Sequence, residues 1–157
     1  MLPRRRFVQS IGAVAIAAAA PMALRAQGSG PVVEVWKDPN CGCCKDWVAH
    51  LQSSGFVVRV NDSGNTAARA RLGIPQQLGS CHTALVGGYA VEGHVPAREI
   101  RRLLKERPDA IGLSVPGMPV GSPGMDAPAY AGRTDPFDVL LVQRDGQARV
   151  YQSYNKS

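Results

Sequence analysis

Three cysteines fall within four positions of the 157-residue chain: Cys41, Cys43 and Cys44, in DPNCGCCKDW. Cys41 and Cys44 alone make a C-x-x-C pair, the minimum for thiol–disulfide exchange. Cys43 is surplus to that chemistry, and a third thiol inside the motif invites scrambling. A closed tetrahedral metal site wants four ligands. The fourth cysteine of the chain is Cys81, in GSCHTALV. In an oxidising compartment four cysteines also suffice for two structural disulfides. Exchange, metal binding and stapling are therefore the three chemistries to weigh.

The elements that must position these thiols follow from periodicity. PVVEVWK alternates Val33 and Val35 with Glu34 and Trp36, a strand pattern. CCKDWVAHLQSSG reads as a helix, with Cys44, Val48 and Leu51 on one face, Trp47 beside them and Gly55 as the stop. FVVRV is a second strand, and NTAARARLG a short helix capped by Asn65 or Thr66. TALVGGYAVEGHV reads as a hairpin turning at Gly87-Gly88. PAREIRRLLKERP is an amphipathic helix with Pro96 in its first turn, Ile100, Leu103 and Leu104 inward and its arginines solvated. Past Pro108, DAIGLSVPGMPVGSPGMDAPAYAGRTDP is rich in Gly and Pro and shows no period. Structureless loops beyond about 12–15 residues are uncommon and often functional or disordered. FDVLLVQ, an Arg-Asp-Gly turn and ARVYQSY predict a closing hairpin.

This order predicts an α/β chain with a thioredoxin-like mixed sheet flanked by helices, a long Gly/Pro-rich loop and a C-terminal β-hairpin. A helix between the first two strands makes them parallel neighbours. The cysteine triplet then lies where the first strand enters the first helix, and Cys81 with His82 on the loop before the third strand, beside it. Free backbone N–H groups at a helix start favour thiolates, and Lys37 and Lys45 are close in sequence.

The chain ends bound the compartment. MLPRRRFVQS followed by IGAVAIAAAA reads as a basic region and a short apolar region, the pattern of an export signal over residues 1–26. Arg4, Arg5, Phe7 and Val8 resemble the twin-arginine form, although Pro3 and Gln9 depart from it. Residues 27–157 then form one domain in the periplasm, with membrane contact only during export. The formal charge of +6 falls once Arg4, Arg5, Arg6 and Arg25 are removed, leaving a mildly basic domain with no nucleic-acid footprint.

Donor chemistry narrows the metal. Consecutive Cys43 and Cys44 diverge, so chelating one zinc ion with both is awkward, and an iron–sulfur cluster meets the same difficulty. Copper(I) is soft, prefers thiolate and accepts few ligands. One thiolate can bridge two copper ions, which suits a polynuclear site and favours copper over zinc.

CGCCKDW, GSCHTALV, GHVPA with its following helix, and GLSVPGMPVGSPGM together resemble a bacterial domain-of-unknown-function family that includes a periplasmic copper-resistance protein. The resemblance spans the first strand to the final hairpin. It implies a thioredoxin-like domain that binds copper through Cys41, Cys43, Cys44 and Cys81. The expected function is periplasmic copper binding, with Cu(I) held as a cysteine-bridged cluster for resistance by sequestration, transfer or redox conversion. Its partners would be copper ions and other periplasmic copper-handling proteins. The alternative is a thiol–disulfide oxidoreductase, with Cys41 as nucleophile and Cys44 resolving.

Four further residues are candidate ligands: His82, beside Cys81; His94, at the end of the fourth strand; and Met118 and Met125, whose thioethers suit copper(I). His50 is expected at the surface, and Trp36 and Trp47 in packing. Glu92, Asp38 and Asp46 form no acid–base pair by spacing.

Overall fold

Burial alternates along the first strand, β1 (Val32–Lys37): Val33, Val35 and Lys37 are buried, while Val32, Glu34 and Trp36 are not. The two-residue period of a strand puts Val33 and Val35 on one face. The computed structural model describes residues 29–156, so the export-signal reading of residues 1–26 lies outside the described residues. Helix α1 (Gly42–Ser53) follows, with Cys41 at its N-cap and Cys44, Trp47, Val48 and Leu51 buried. It stops at Gly55, whose φ of +84° suits glycine, with Phe56 N–H turned back to the Leu51 carbonyl.

The chain continues through β2 (Val57–Asn61), α2 (Thr66–Arg71), β3 (His82–Val86), β4 (Tyr89–Glu92), α3 (Ala97–Glu106), β5 (Gly112–Ser114), β6 (Phe137–Val142) and β7 (Ala148–Tyr154). All seven strands join one mixed sheet in the order β2-β1-β3-β4-β5-β6-β7. β1 runs parallel to β2, and β4 parallel to β5; the other neighbouring pairs are antiparallel.

β5 lies inside the stretch that showed no period. Its three residues are all buried, and it is paired on both sides. A strand this short, covered on both faces, has no apolar–polar alternation to detect.

Neighbouring residues of the sheet feed two clusters. Val91 and Leu141 join the main core with Trp47, Leu51, Ile100 and Leu103 from α1 and α3. Ala90 and Val142, one residue along, join Ile74 in a smaller cluster. Among the described residues no helix is long and apolar enough to cross a membrane.

α1 and α3 also meet through a polar contact. Pro96, the N-cap of α3, offers no side-chain cap, and the N–H of Ala97 donates instead to His50 Nε2 at 3.1 Å. His50 is therefore half-buried rather than at the surface. Its reach across to α3 is a tertiary contact that helical spacing does not reveal.

Burial holds the His50 imidazole below its ordinary value of 6.5, with Asp126 opposing the effect. The unfolded chain then binds the proton more readily, so stability rises with pH across this window and is lost as pH falls through the folded value. The melting temperature is predicted to drop as pH falls below 6.5. His50→Ala should lower stability by about 1 kcal/mol at neutral pH and flatten that slope. A variant whose melting profile runs parallel to the parent's across the same pH range would contradict this.

Candidate metal centre

Strand register brings the cysteines together. In the β1–β3 pair, Lys37 lies opposite His82. The last residue of β1 thus neighbours the first residue of β3. The chain leaving β1 turns through Cys41 into α1 just where Cys81 approaches β3. The sulfurs of Cys41, Cys43, Cys44 and Cys81 all lie within 4.8 Å of one another. Cys41 and Cys44 are joined as a disulfide, while Cys43 and Cys81 are free thiols. Cys43 Sγ stands 3.5 Å from Cys41 Sγ and 3.9 Å from Cys81 Sγ. The surplus cysteine is therefore the link between the C-x-x-C pair and Cys81.

His82 and His94 complete a second group, with donor atoms also within 4.8 Å of Cys81 Sγ and of each other. His94 Nδ1 is 2.8 Å from the Pro123 carbonyl, which can only accept, so this nitrogen carries the proton. Nε2 then holds a lone pair and faces Cys81 Sγ at 3.1 Å. Fixing a ring tautomer through its far nitrogen is how proteins orient a metal-binding imidazole. His82 is wholly buried between Trp47, with ring centroids 4.3 Å apart, and His94, at 5.0 Å. Its Nδ1 is 3.3 Å from Cys81 Sγ, and among the described residues its Nε2 has no hydrogen-bond partner.

The electrostatics favour neutral groups. Burial, reinforced by the neighbouring His94, drives His82 well below the ordinary histidine value. Burial likewise lowers His94. Burial and then the nearby Cys43 push the Cys81 thiol up to about 12. Without a cation, Cys81 is a protonated thiol facing the His94 lone pair. Lys37 does not serve the thiols as its position in the sequence suggested. Its ammonium pairs with Asp62 at 2.6 Å.

The Gly/Pro-rich segment is ordered across this site. Gly117 N–H donates to the Gly79 carbonyl, and Ser80 Oγ donates to the Gly117 carbonyl at 2.5 Å. Pro123 holds His94. Gly124, at φ +84°, sits against the first turn of α1, where a Cβ would lie 2.6 Å from the Cys43 carbonyl and 2.8 Å from Trp47 N. Met125 is buried, its sulfur 3.7 Å from the Tyr130 hydroxyl, and Met118 is exposed.

Sequence reasoning missed the residues that hold Cys81. Glu92 is fully buried, and its carboxylate accepts from Arg69 Nε at 2.8 Å, Ser80 N–H at 2.7 Å and the Thr83 hydroxyl at 2.5 Å. Burial raises its carboxyl above the ordinary value against these opposing bonds. The available signal was a lone acid in the apolar strand YAVE, since charged side chains are rarely buried unless paired.

Replacing Gly124 with Ala is predicted to lower stability by about 2 kcal/mol and to lift the Pro123 carbonyl from His94. The imidazole N–H signal of His94 in NMR spectra should then weaken through solvent exchange. An unchanged melting temperature with that signal intact would show that the close approach is unimportant.

The family model for "Protein of unknown function, DUF411" matches residues 78–125. Two solved structures, forms 1 and 2 of a copper resistance protein CopG, are each 47% identical to this chain, with a TM-score of 0.73. Each match covers 80% of this chain and 98% of the other. Comparison with curated proteins gives no match.

Proposed function

The chain belongs to the DUF411 copper-resistance family, and from that premise we propose that it is a periplasmic protein that holds Cu(I) in a cysteine-bridged cluster. The observation that carries this reading is the convergence of four sulfurs within 4.8 Å. In the reduced chain, Cys41, Cys43, Cys44 and Cys81 supply thiolates, and Cys43 is placed to bridge. Soft sulfur donors select Cu(I) over harder ions. His94 Nε2 and His82 are neutral nitrogen donors at the same site. Met118 and Met125 are thioether candidates on the loop that crosses it. The cluster would serve copper resistance by sequestration, by transfer to other copper-handling proteins or by redox conversion of the bound metal.

The thioredoxin-like reading is supported by the β2-β1-β3-β4 order, with β1 and β2 parallel and the thiols where β1 enters α1. The antiparallel β6–β7 pair supports the C-terminal hairpin. The twin-arginine-like segment supports export to the periplasm.

Binding is predicted to require reduction, because the Cys41–Cys44 disulfide withholds two of the four donors. Copper should bind the reduced chain anaerobically in competition with a Cu(I) chelator, and each ion should displace thiol protons. The Cys43→Ser, Cys81→Ser double variant should lose most of its copper. If that variant retained as much copper as the parent, the cluster reading would fail.

The disulfide itself favours a second reading, thiol–disulfide exchange with Cys41 as nucleophile and Cys44 resolving. The same double variant separates the two. An exchange enzyme keeps its activity on a disulfide substrate without Cys43 and Cys81.

A further inference from the structure

Cys81 sits on a segment that the β-ladder does not hold. β3 begins at His82, and Ser80 and Cys81 precede it. Both backbone polar groups of Ser80 are instead taken by side chains. Its N–H donates to Glu92 Oε1 at 2.7 Å, and its carbonyl accepts from Arg69 Nη2 at 2.5 Å and Asn65 Nδ2 at 3.1 Å. Arg69 also donates from Nε to Glu92 Oε1 at 2.8 Å, so one guanidinium spans the carboxylate and the Ser80 carbonyl. Thr83, on the other side of Cys81, donates to Glu92 Oε2 at 2.5 Å and accepts from Asn65 at 3.2 Å. Asn65 is the N-cap residue of α2, yet it makes no side-chain cap to its own helix. Its capping group has been diverted to the cysteine segment.

We infer that Glu92 and Arg69 are positioning residues for the thiol site, a buried carboxylate–guanidinium clamp that grips the Ser80 backbone on one side of Cys81 and the Thr83 hydroxyl on the other and fixes the Cys81 sulfur beside Cys43. Neither touches a sulfur. Glu92 acts through the Ser80 N–H and the Thr83 hydroxyl, and Arg69 through the Ser80 carbonyl, tying α2 and β4 to the geometry at the start of α1. A buried ion pair is weak support for stability in itself. This one has a positional reason to exist, because the fork of Arg69 fits two acceptors at once and lysine cannot reproduce it.

The inference extends the copper reading, but its deciding readout uses metal-free protein, so the two fail separately. In a Cys41→Ser, Cys44→Ser background only Cys43 and Cys81 remain. Dibromobimane becomes fluorescent when its two bromomethyl arms alkylate neighbouring thiols with loss of bromide, and the bridged fraction reports their proximity. Arg69→Lys keeps a cation beside Glu92 and should fold, with near-UV circular dichroism as the check. The paired change Glu92→Leu, Arg69→Met removes the clamp without stranding a charge. Glu92→Gln keeps an acceptor for the Ser80 N–H. The bridged fraction should fall in Arg69→Lys, fall further in the paired variant and stay near the parent level in Glu92→Gln. With all four cysteines present, Arg69→Lys should weaken Cu(I) binding by about 10–100-fold, as loss of a ligand-orienting partner does. A folded Arg69→Lys protein that bridges its thiols as fully as the parent overturns the inference. So does one that binds Cu(I) as tightly as the parent. A parent that binds no Cu(I) would sink the copper reading and leave the bridging result to decide this one.

Discussion

The pairing of Lys37 with His82 sets the position of every sulfur in the cluster. It aligns the exit of β1 with the entrance of β3, so the turn into α1 and the segment carrying Cys81 meet at one edge of the fold. A one-residue slip in that register would turn His82 to the opposite face and carry Cys81 out of reach. The pairing is well protected. Val33 and Val35 on β1 face the main core, as do Ala84 and Val86 on β3 and Val91 on β4. The chemistry at the edge thus rests on apolar burial some residues away.

Around the cluster the protein keeps the surroundings neutral. His82 and His94 are held unprotonated by burial, and Cys81 keeps its proton for the same reason. Such a site resists becoming a bare anion. A cation that compensates the charge would displace the thiol protons to solvent, a condition that suits a soft metal ion. The Gly/Pro-rich segment adds to this isolation: Pro123 fixes one histidine, and Gly124 allows close contact with the backbone of α1. The disulfide between Cys41 and Cys44 introduces a redox condition, because the four-sulfur donor set exists only after two electrons reduce it.

The cysteine triplet announced a strand-to-helix turn, and the β-branched run before it and the apolar stripe after it were local patterns. Cys81 could be matched to the triplet because element order alone put β3 beside β1. Local patterns failed where contacts are long-range. β5 is three buried residues with no alternation. The Arg69–Glu92 pair joins residues 23 apart in sequence, with no period to link them. Lys37 looked close to the thiols along the chain, but its ammonium is taken by Asp62, 25 residues away in sequence. His50 is legible only once α3 has folded back over α1.

In the proposed cluster, sulfur from both segments holds the metal. X-ray absorption at the copper edge of the reduced, Cu(I)-loaded protein tests this most directly. The expected spectrum shows a first shell dominated by sulfur, with short copper–copper scattering that diminishes when Cys81 is replaced by serine. A shell of nitrogen and oxygen alone, or a spectrum indifferent to Cys81, would contradict it.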